Sequence, residues 1–390
     1  MQITEVTTPG DIHEFLHLPI RLYKNTPQWI RPLDADIEAV FDKEKNKSFR
    51  HGQCTRWLLK NDKNEVIGRV AVFILDKLVH KGNDQPTGGM GFFECIEDQE
   101  AAFMLFDHCK AWLQARGMEA MDDPVNFGSR DRWWGLLVEG FQYEPNYQTS
   151  YNFPYYQKFF EAYGFKLYFN QLTYARNVMQ PVSEKLLYKA DLIKKNPDYT
   201  FRIIKGKEMA KLAEYVRIVY NKAWANRAEN PELTQAQAVA LVKQMKPILD
   251  ERLLWFGFYK SEPIAFFISL PEINQIFKHV NGKLDWIGKI KFLWHKVLGT
   301  NRKAFGILFG VVPEHQGIGV DGAIIMAAAR EQYQSGKMPY KEFEMNWIGD
   351  FNPKMIQVVE QVGGYVAKRH ITYRKLFDER KPFKRHPILR

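Results

Sequence analysis

Gln316, Gly317, Ile318, Gly319, Val320, Asp321 and Gly322 stand between an apolar run, residues 304–312, and an alanine-rich stretch, residues 323–330. The first has the length and composition of a buried strand, the second those of a helix. Small residues at such a junction let main-chain N–H groups and the positive end of the helix close on an anion without side-chain obstruction. The chemistry implied is the holding of a phosphate or pyrophosphate. Rossmann turns and nucleotide-triphosphate loops share this physics, but no GxxxxGK[ST] run is present. The turn also lies near residue 317 of 390, not at the opening of a first βαβ unit.

The elements that must position this turn follow it. Residues 341–348 alternate as a strand, with Phe343, Met345 and Trp347 on one face and Glu344 and Asn346 on the other. Asn352 then reads as the N-cap of a helix with Pro353 in its first turn and Gly364 and Tyr365 at its end. Gln316 and Gly319 after the Val311, Val312, Pro313 strand end resemble the acyl-CoA pyrophosphate loop of the GNAT (N-acetyltransferase) superfamily. That loop is written Gln/Arg-x-x-Gly-x-Gly/Ala, and Asp321 stands at its last position. The later segment resembles the family's Asn-x-x-Ala-x-x-x-Tyr-x-x-x-Gly-Phe, with Met355 at the alanine and Val359 at the tyrosine. That tyrosine is the family's frequent general acid, and its role passes to no residue here.

The resemblance implies an α/β (α+β) fold of two GNAT-like domains, each a mixed, splayed β-sheet flanked by helices. It implies acetyl-CoA or another acyl-CoA as co-substrate, held by Val311, Val312, Gln316, Gly317, Ile318, Gly319, Val320, Asp321, Gly322 and Asn352. The N–H of Val312 is then the expected donor to the thioester oxygen, and no metal is required. The reaction implied is direct attack of a small-molecule amine on the thioester. An amine is protonated near neutrality, so a base is needed, and the departing thiolate needs a proton. Glu272 and Glu344, the latter beside Asn346, are the candidate bases, and Tyr373 and His370 the candidate proton donors. Two other classes stay open: a tandem-domain transferase with an aminoacyl-tRNA or acyl-carrier-protein donor, and a non-catalytic binder of acyl-CoA or another ligand.

A faint internal repeat underlies the two-domain expectation. Asn152 precedes Gly164 and Phe165 at the same distance as Asn352 precedes Gly364 and Tyr365, and each segment runs on to a Thr-Tyr pair, Thr173-Tyr174 and Thr372-Tyr373. In the first copy the strand–helix junction reads Asp98, Gln99, Glu100, acidic and without glycine, so an anion cradle cannot be built there. Residues 1–176 are therefore expected to form a domain lacking a CoA loop, 177–198 a connection, 199–378 the acyl-CoA-binding domain and 379–390 a basic tail. Helices are expected at residues 11–22, 32–41, 183–195, 209–225 and 234–249, the fourth ending at Ala225. The stretch 124–151, polar and aromatic without periodicity, is expected either to face substrate or to pack between the domains.

A composition of 45% apolar and 26% charged residues is that of an ordinary globular chain and excludes disorder and fibrous classes. The odd set Cys54, Cys95 and Cys109 has no metal-type spacing, and with no signal-like leader it suggests reduced thiols and a cytoplasmic protein. No apolar run reaches membrane-spanning length. The net charge of +10 concentrates in residues 278–303, where six lysines and Arg302 face one acid, Asp285. That segment reads as amphipathic helix: a cap with its lysines in solvent, a lid over a substrate channel, or a peripheral contact with an anionic membrane. Nothing in the charge pattern points clearly to nucleic acid.

Overall fold

The computed structural model describes residues 1–80, 82–224, 232–335 and 338–389. The helix expected to end at Ala225 runs as a 3₁₀ turn, Gly206–Lys211, and an α-helix, Leu212–Trp224; Ala225, and Arg390 of the tail, lie outside the described residues. The alternating and apolar runs form strands β1 (Gln2–Glu5), β2 (Gly52–Lys60), β3 (Val66–Leu75), β4 (Thr87–Cys95), β5 (Ala120–Asp123), β6 (Leu136–Glu139) and β7 (Lys166–Asn177). In the second half they form β8 (Tyr199–Ile203), β9 (Leu254–Tyr259), β10 (Glu262–Pro271), β11 (Lys303–Val311), β12 (Glu342–Gly349) and β13 (Tyr365–Leu376). All thirteen share one sheet in the order β1-β2-β3-β4-β5-β13-β7-β12-β11-β10-β9-β8, with β6 pairing β13.

Helix starts follow the capping chemistry. Thr8 and Thr234 form capping boxes with Asp11 and Gln237, and Asp98, Ser183 and Asp285 each accept main-chain N–H groups of the turn they open. Helix Gln99–Gln114 packs Phe106 and Cys109 against the first half's sheet, where Tyr156 and Phe160 meet them. In the second half, helices Leu212–Trp224 and Val320–Ser335 bury Val219 and Ile324 with Phe256 and Phe266 of the sheet. Burial of this kind contributes about 25 cal/mol per Å² of apolar surface and makes each half's core the main source of its stability. Cys54, Cys95 and Cys109 are free thiols.

The order of the central strands was not foreseen from the repeat. β7 closes the first half in sequence yet pairs antiparallel with β12 of the second half, at Tyr174 opposite Met345. β13 closes the second half yet pairs with β5 of the first, at Tyr373 opposite Asp123. β7 and β13 pair with each other along most of their length, from Tyr365 opposite Ala175 to Arg374 opposite Lys166. Each half's sheet is thus completed by the other's last strand, so neither leaves an exposed central edge.

In both halves the parallel pair at the sheet's centre separates. β4 and β5 pair only from Thr87–Ala120 to Gly89–Asp122, and β11 and β12 only from Lys303–Glu342 to Gly306–Met345. The first opening is filled by the chain itself: Val125 N–H donates to the Met90 carbonyl, and a Cβ at Gly91 would lie 1.9 Å from the Val125 oxygen. The second opening remains.

Candidate active site

At the head of the second opening, Val312 leads into a 3₁₀ turn, Pro313–His315, and Gln316 folds back so that its Nε2 donates to the Val311 carbonyl at 2.7 Å. Gly317 and Gly319 have φ of 76° and 104°, a region that favours glycine, and helix Val320–Ser335 begins directly after. Residues 316–319 close a turn, and among the described residues the first close, well-aligned main-chain bond after it is Ala323 N–H to the Gly319 carbonyl at 2.9 Å, so the N–H groups of Gly317 to Gly322 are at most weakly engaged. Residues 313–318 are on the surface, and Asp321 does not turn back onto these amides. The corner gathers main-chain donors at a helix N-terminus, an arrangement suited to a diphosphate.

The glycines divide their work. A Cβ at Gly317 would meet nothing within 4 Å, whereas one at Gly319 would lie 3.2 Å from the Cβ and carbonyl oxygen of Lys189, and one at Gly322 2.8 Å from Leu186. Gly319 and Gly322 therefore also let the connecting helix Glu184–Lys194 lie against this corner. In the first half Asp98 occupies the equivalent place, its own carboxylate accepting from Glu100 and Ala101 N–H. An internal anion satisfies that helix.

Below the corner, Val312 N–H donates to the Ile264 carbonyl at 2.9 Å. That amide is committed to the ladder, so the donor role expected of Val312 does not fit. Antiparallel alternation turns the main-chain groups of Val311 and Phe309 to the other side, toward the gap left by β12. An apolar cavity of about 250 Å³ lies there, lined among others by Ile307, Phe309, Met345, Ile348, Met355 and Val358. Val359, at the position of the tyrosine in the resembled pattern, is fully buried in its wall and brings no hydroxyl. Asn352 caps helix Pro353–Gln361 by accepting from Met355 N–H at 3.3 Å, which engages its side chain oxygen locally and away from a ligand.

Asn346 lines the cavity and also belongs to a buried polar cluster. Asn146 Nδ2 donates to Asn346 Oδ1 at 2.7 Å and to Glu344 Oε2 at 2.5 Å. Lys303 and Lys368 close on the two oxygens of Glu344 at 2.5 and 2.9 Å. Burial alone raises a carboxyl, but the Lys368 and Lys303 ammonium groups outweigh it and hold Glu344 below its usual range. Burial lowers Lys368 despite that carboxylate, whereas for Lys303 the attraction of Glu344 overcomes burial and the shift is upward. A carboxylate so engaged is a poor proton acceptor, and Glu344 does not fit the base expected of it.

Glu272 does. Its Oε1 accepts from the N–H groups of Tyr147 and Asn274, both at 2.9 Å, while Oε2 is buried without a partner. Burial, with the charge of Glu344 adding to it, pushes this carboxyl up to about 7. His370 donates Nε2–H to the Ser150 carbonyl at 3.0 Å and is lowered to about 4 by burial, so it is neutral and carries no acidic proton. Tyr373 is elsewhere: the strand exchange sets it in the first half's core beside Phe160, donating to Glu161 at 3.0 Å.

The sequence reading missed Lys303, Lys368, Asn146 and Asn274. A lysine inside a largely buried strand was the available signal for Lys368, and one at a strand's first residue for Lys303. Of the two alternatives expected of the stretch 124–151, the contacts show packing between the halves. The stretch crosses to the second half, where the Pro145 carbonyl accepts from Asn274 Nδ2 and the Glu144 carbonyl from Lys368 Nζ, each at 2.9 Å, and it supplies the cluster's Asn146 and Tyr147.

No protein-family model matches the chain. It is 27% identical over 373 residues to protein YghO of Escherichia coli K12, covering 94% of this chain and 93% of that one. It is 28% identical over 397 residues to a protein of Caulobacter vibrioides named bacterial ceramide synthase, covering 96% and 97%. Among solved structures, a tandem GNAT protein from the clavulanic acid biosynthesis pathway superposes with a TM-score of 0.52 at 11% identity, covering 98% of this chain and 99% of that one. A GCN5-related glucosamine N-acetyltransferase region of a fungal multi-domain GH3 β-N-acetylglucosaminidase gives the same TM-score at 12% identity, this chain spanning 38% of that longer one. The fold is a tandem GNAT fold, mixed α/β as expected.

Proposed function

We propose, from a chain of tandem GNAT fold, that this protein is an acyl-CoA-dependent N-acyltransferase whose acceptor is a long-chain amine. The observation that carries the reading is the succession of features along β11: main-chain donors of the glycine corner past its end, the edge at Val311, then an apolar cavity lined by Phe309 and Ile307 whose Asn346 bonds to the buried polar cluster.

The amides of the corner would hold the diphosphate of the co-substrate, with Lys189 at its rim, and the edge of β11 would pair with the pantetheine as an added strand does. The co-substrate supplies an acyl carbon activated as a thioester. The N–H of Val311 faces the gap where a carbonyl oxygen gathering negative charge would lie. Glu272, pushed up to about 7 with one oxygen free, would take a proton from the bound ammonium, directly or through water. The free amine then attacks the thioester carbon, the C–S bond breaks as the C–N bond forms, and the CoA thiolate leaves with the proton that the new amide nitrogen sheds. Asn346 and Asn146 orient the amine at the boundary between cavity and cluster.

The apolar lining favours a hydrocarbon chain over acetyl alone, and the relative named ceramide synthase points the same way, a ceramide being the amide of a long-chain amino alcohol. Aminoacyl-tRNA and acyl carrier protein present phosphodiesters, not a diphosphate, so the amide corner favours free CoA over those donors. The test is release of thiol from acetyl-CoA and palmitoyl-CoA with a long-chain 2-amino alcohol or a short amine, alongside thermal denaturation with each thioester and desulfo-CoA. Palmitoyl transfer to the long-chain amine is expected. If none of these ligands at ~1 mM raised the transition temperature, the reading would fall, because selective binding to the folded state must stabilise it.

A further inference from the structure

The insertion between β10 and β11 contains helix Trp286–Val297, and it lies on the protein the opposite way from an ordinary amphipathic cap. At about 100° per residue, Gly288, Phe292 and His295 share one side. That side is the inner one: Phe292 packs on Phe277, His295 stacks on His279, and a Cβ at Gly288 would lie 2.0 Å from the Lys283 carbonyl oxygen. The apolar side faces away. Trp286, Trp294 and Val297 are 71%, 64% and 85% exposed, and Ile287, Ile290 and Leu293 are exposed with them. The expectation of a cap holding its apolar face inward is therefore corrected, since the inner face is small and the large residues point to solvent.

The charges frame that face. Lys289 and Lys296 flank it on one side and Lys291 on the other, and Lys283 precedes the helix. None of these forms an ion pair among the described residues, although Lys296 Nζ donates to the Pro247 carbonyl at 2.8 Å. The sole acid of residues 278–303, Asp285, is used as the N-cap, accepting from Gly288 N–H at 2.8 Å. Exposed tryptophans with isoleucine, leucine and valine between them, edged by lysines, match the depth profile of a bilayer interface. There, indole rings sit at headgroup level and ammonium groups meet lipid phosphates.

We infer that this face of helix Trp286–Val297 binds the surface of an anionic lipid bilayer, with the helix lying in the plane of the interface. A second copy of the chain is a poorer occupant, because a self-complementary contact would bring the lysine rows together. A nucleic acid would engage the lysines and leave the apolar residues in water. The location gives the contact a use. The insertion opens with Glu272, and Phe277 and Ile273 pack with Leu33 and near Tyr147, so it lies at the junction of the halves, beside the polar cluster. Among the described residues no helix is long and apolar enough to cross a membrane, and an in-plane helix needs no such length.

The inference stands whether or not acyl transfer is the activity. Its test is sedimentation of the full chain with phosphatidylcholine vesicles, with and without phosphatidylglycerol, together with tryptophan emission. Binding to the anionic vesicles, a blue shift, and weakening by added salt are expected. The doubly substituted Ile290→Ser, Trp294→Ser chain should bind at least about tenfold more weakly at unchanged melting temperature, since both side chains lie in solvent. Absence of wild-type binding, or equal binding by the variant, overturns the inference. So does a wild-type dimer in light scattering that the double substitution converts to monomer while vesicle binding persists.

Discussion

The main-chain N–H of Tyr147, in the first half of the chain, donates to Oε1 of Glu272, in the second, at 2.9 Å, and the other oxygen of Glu272 is left without a partner. This carboxyl is held by one oxygen beneath a loop from the other half of the chain, and its second oxygen is left unengaged. Burial raises its proton affinity, while the main-chain bond from Tyr147 works against that rise and fixes the direction of the carboxyl. The same loop brings Asn146 to Glu344 and Asn346.

Replacement of Glu272 by glutamine is expected to lower kcat by a factor on the order of 10² to 10⁴, the range for a general base. In the native chain kcat/KM should rise with pH through about 7 as Glu272 ionises, and that limb should be missing from the variant. The stability has the opposite sign. The folded carboxyl binds its proton more tightly than the unfolded one, so the native chain loses stability relative to Glu272→Gln as pH rises from about 4.5 to 7. Denaturant melts at pH 5 and pH 8 check this, and a pH-independent difference would deny Glu272 its raised affinity.

Glu344→Gln should act on the fold first. It leaves the ammonium groups of Lys303 and Lys368 buried without their anion, a loss of about 3–5 kcal/mol for a broken buried pair. Because the folded carboxyl is held below its usual range, this contribution is complete above about pH 4.5 and fades as pH falls below it. Equilibrium urea unfolding measures the loss, and a variant of native stability but no activity would return Glu344 to the role of base.

Gly317 separates charge from shape at the amide corner. Its left-handed φ is tolerated by asparagine and aspartate, and the space around it is open. Gly317→Asp should weaken CoA binding by about tenfold or more, while the isosteric Gly317→Asn changes it little. Calorimetry with CoA reads both, and equal affinities would remove the diphosphate from this corner. Gly319 is a less selective probe because Lys189 lies against it.

The exchanged strands predict interdependence of the halves. Residues 1–178 expressed alone lack β13, so β5 and β7 lose a shared neighbour and their ladder groups are bared. Each half alone should be insoluble or show no cooperative transition, and the two co-expressed should copurify as one species. Cooperative melting of an isolated half would show that the exchange is dispensable.

Much was legible from residue types alone. Gln316, Gly317 and Gly319 announced the turn because backbone at positive φ and close approach both select glycine, and Asn352-Pro353 announced a helix start because capping is a local matter. The repeat suggested two similar units, and Asp98 was legible as the cap of its own helix, accepting from Glu100 N–H. Local chemistry determines such features, and it is written in consecutive residues. The partners of Glu272, Glu344 and Tyr373 were decided otherwise. Whether a strand carboxylate becomes a clamped ion or a free base, and whether a tyrosine reaches a site or a core, depends on which strands lie alongside it. The exchange of β7 and β13 and the reach of residues 144–147 set that through pairings between distant segments, and the outward face of helix Trp286–Val297 was decided the same way, by which side found room against Phe277 and His279.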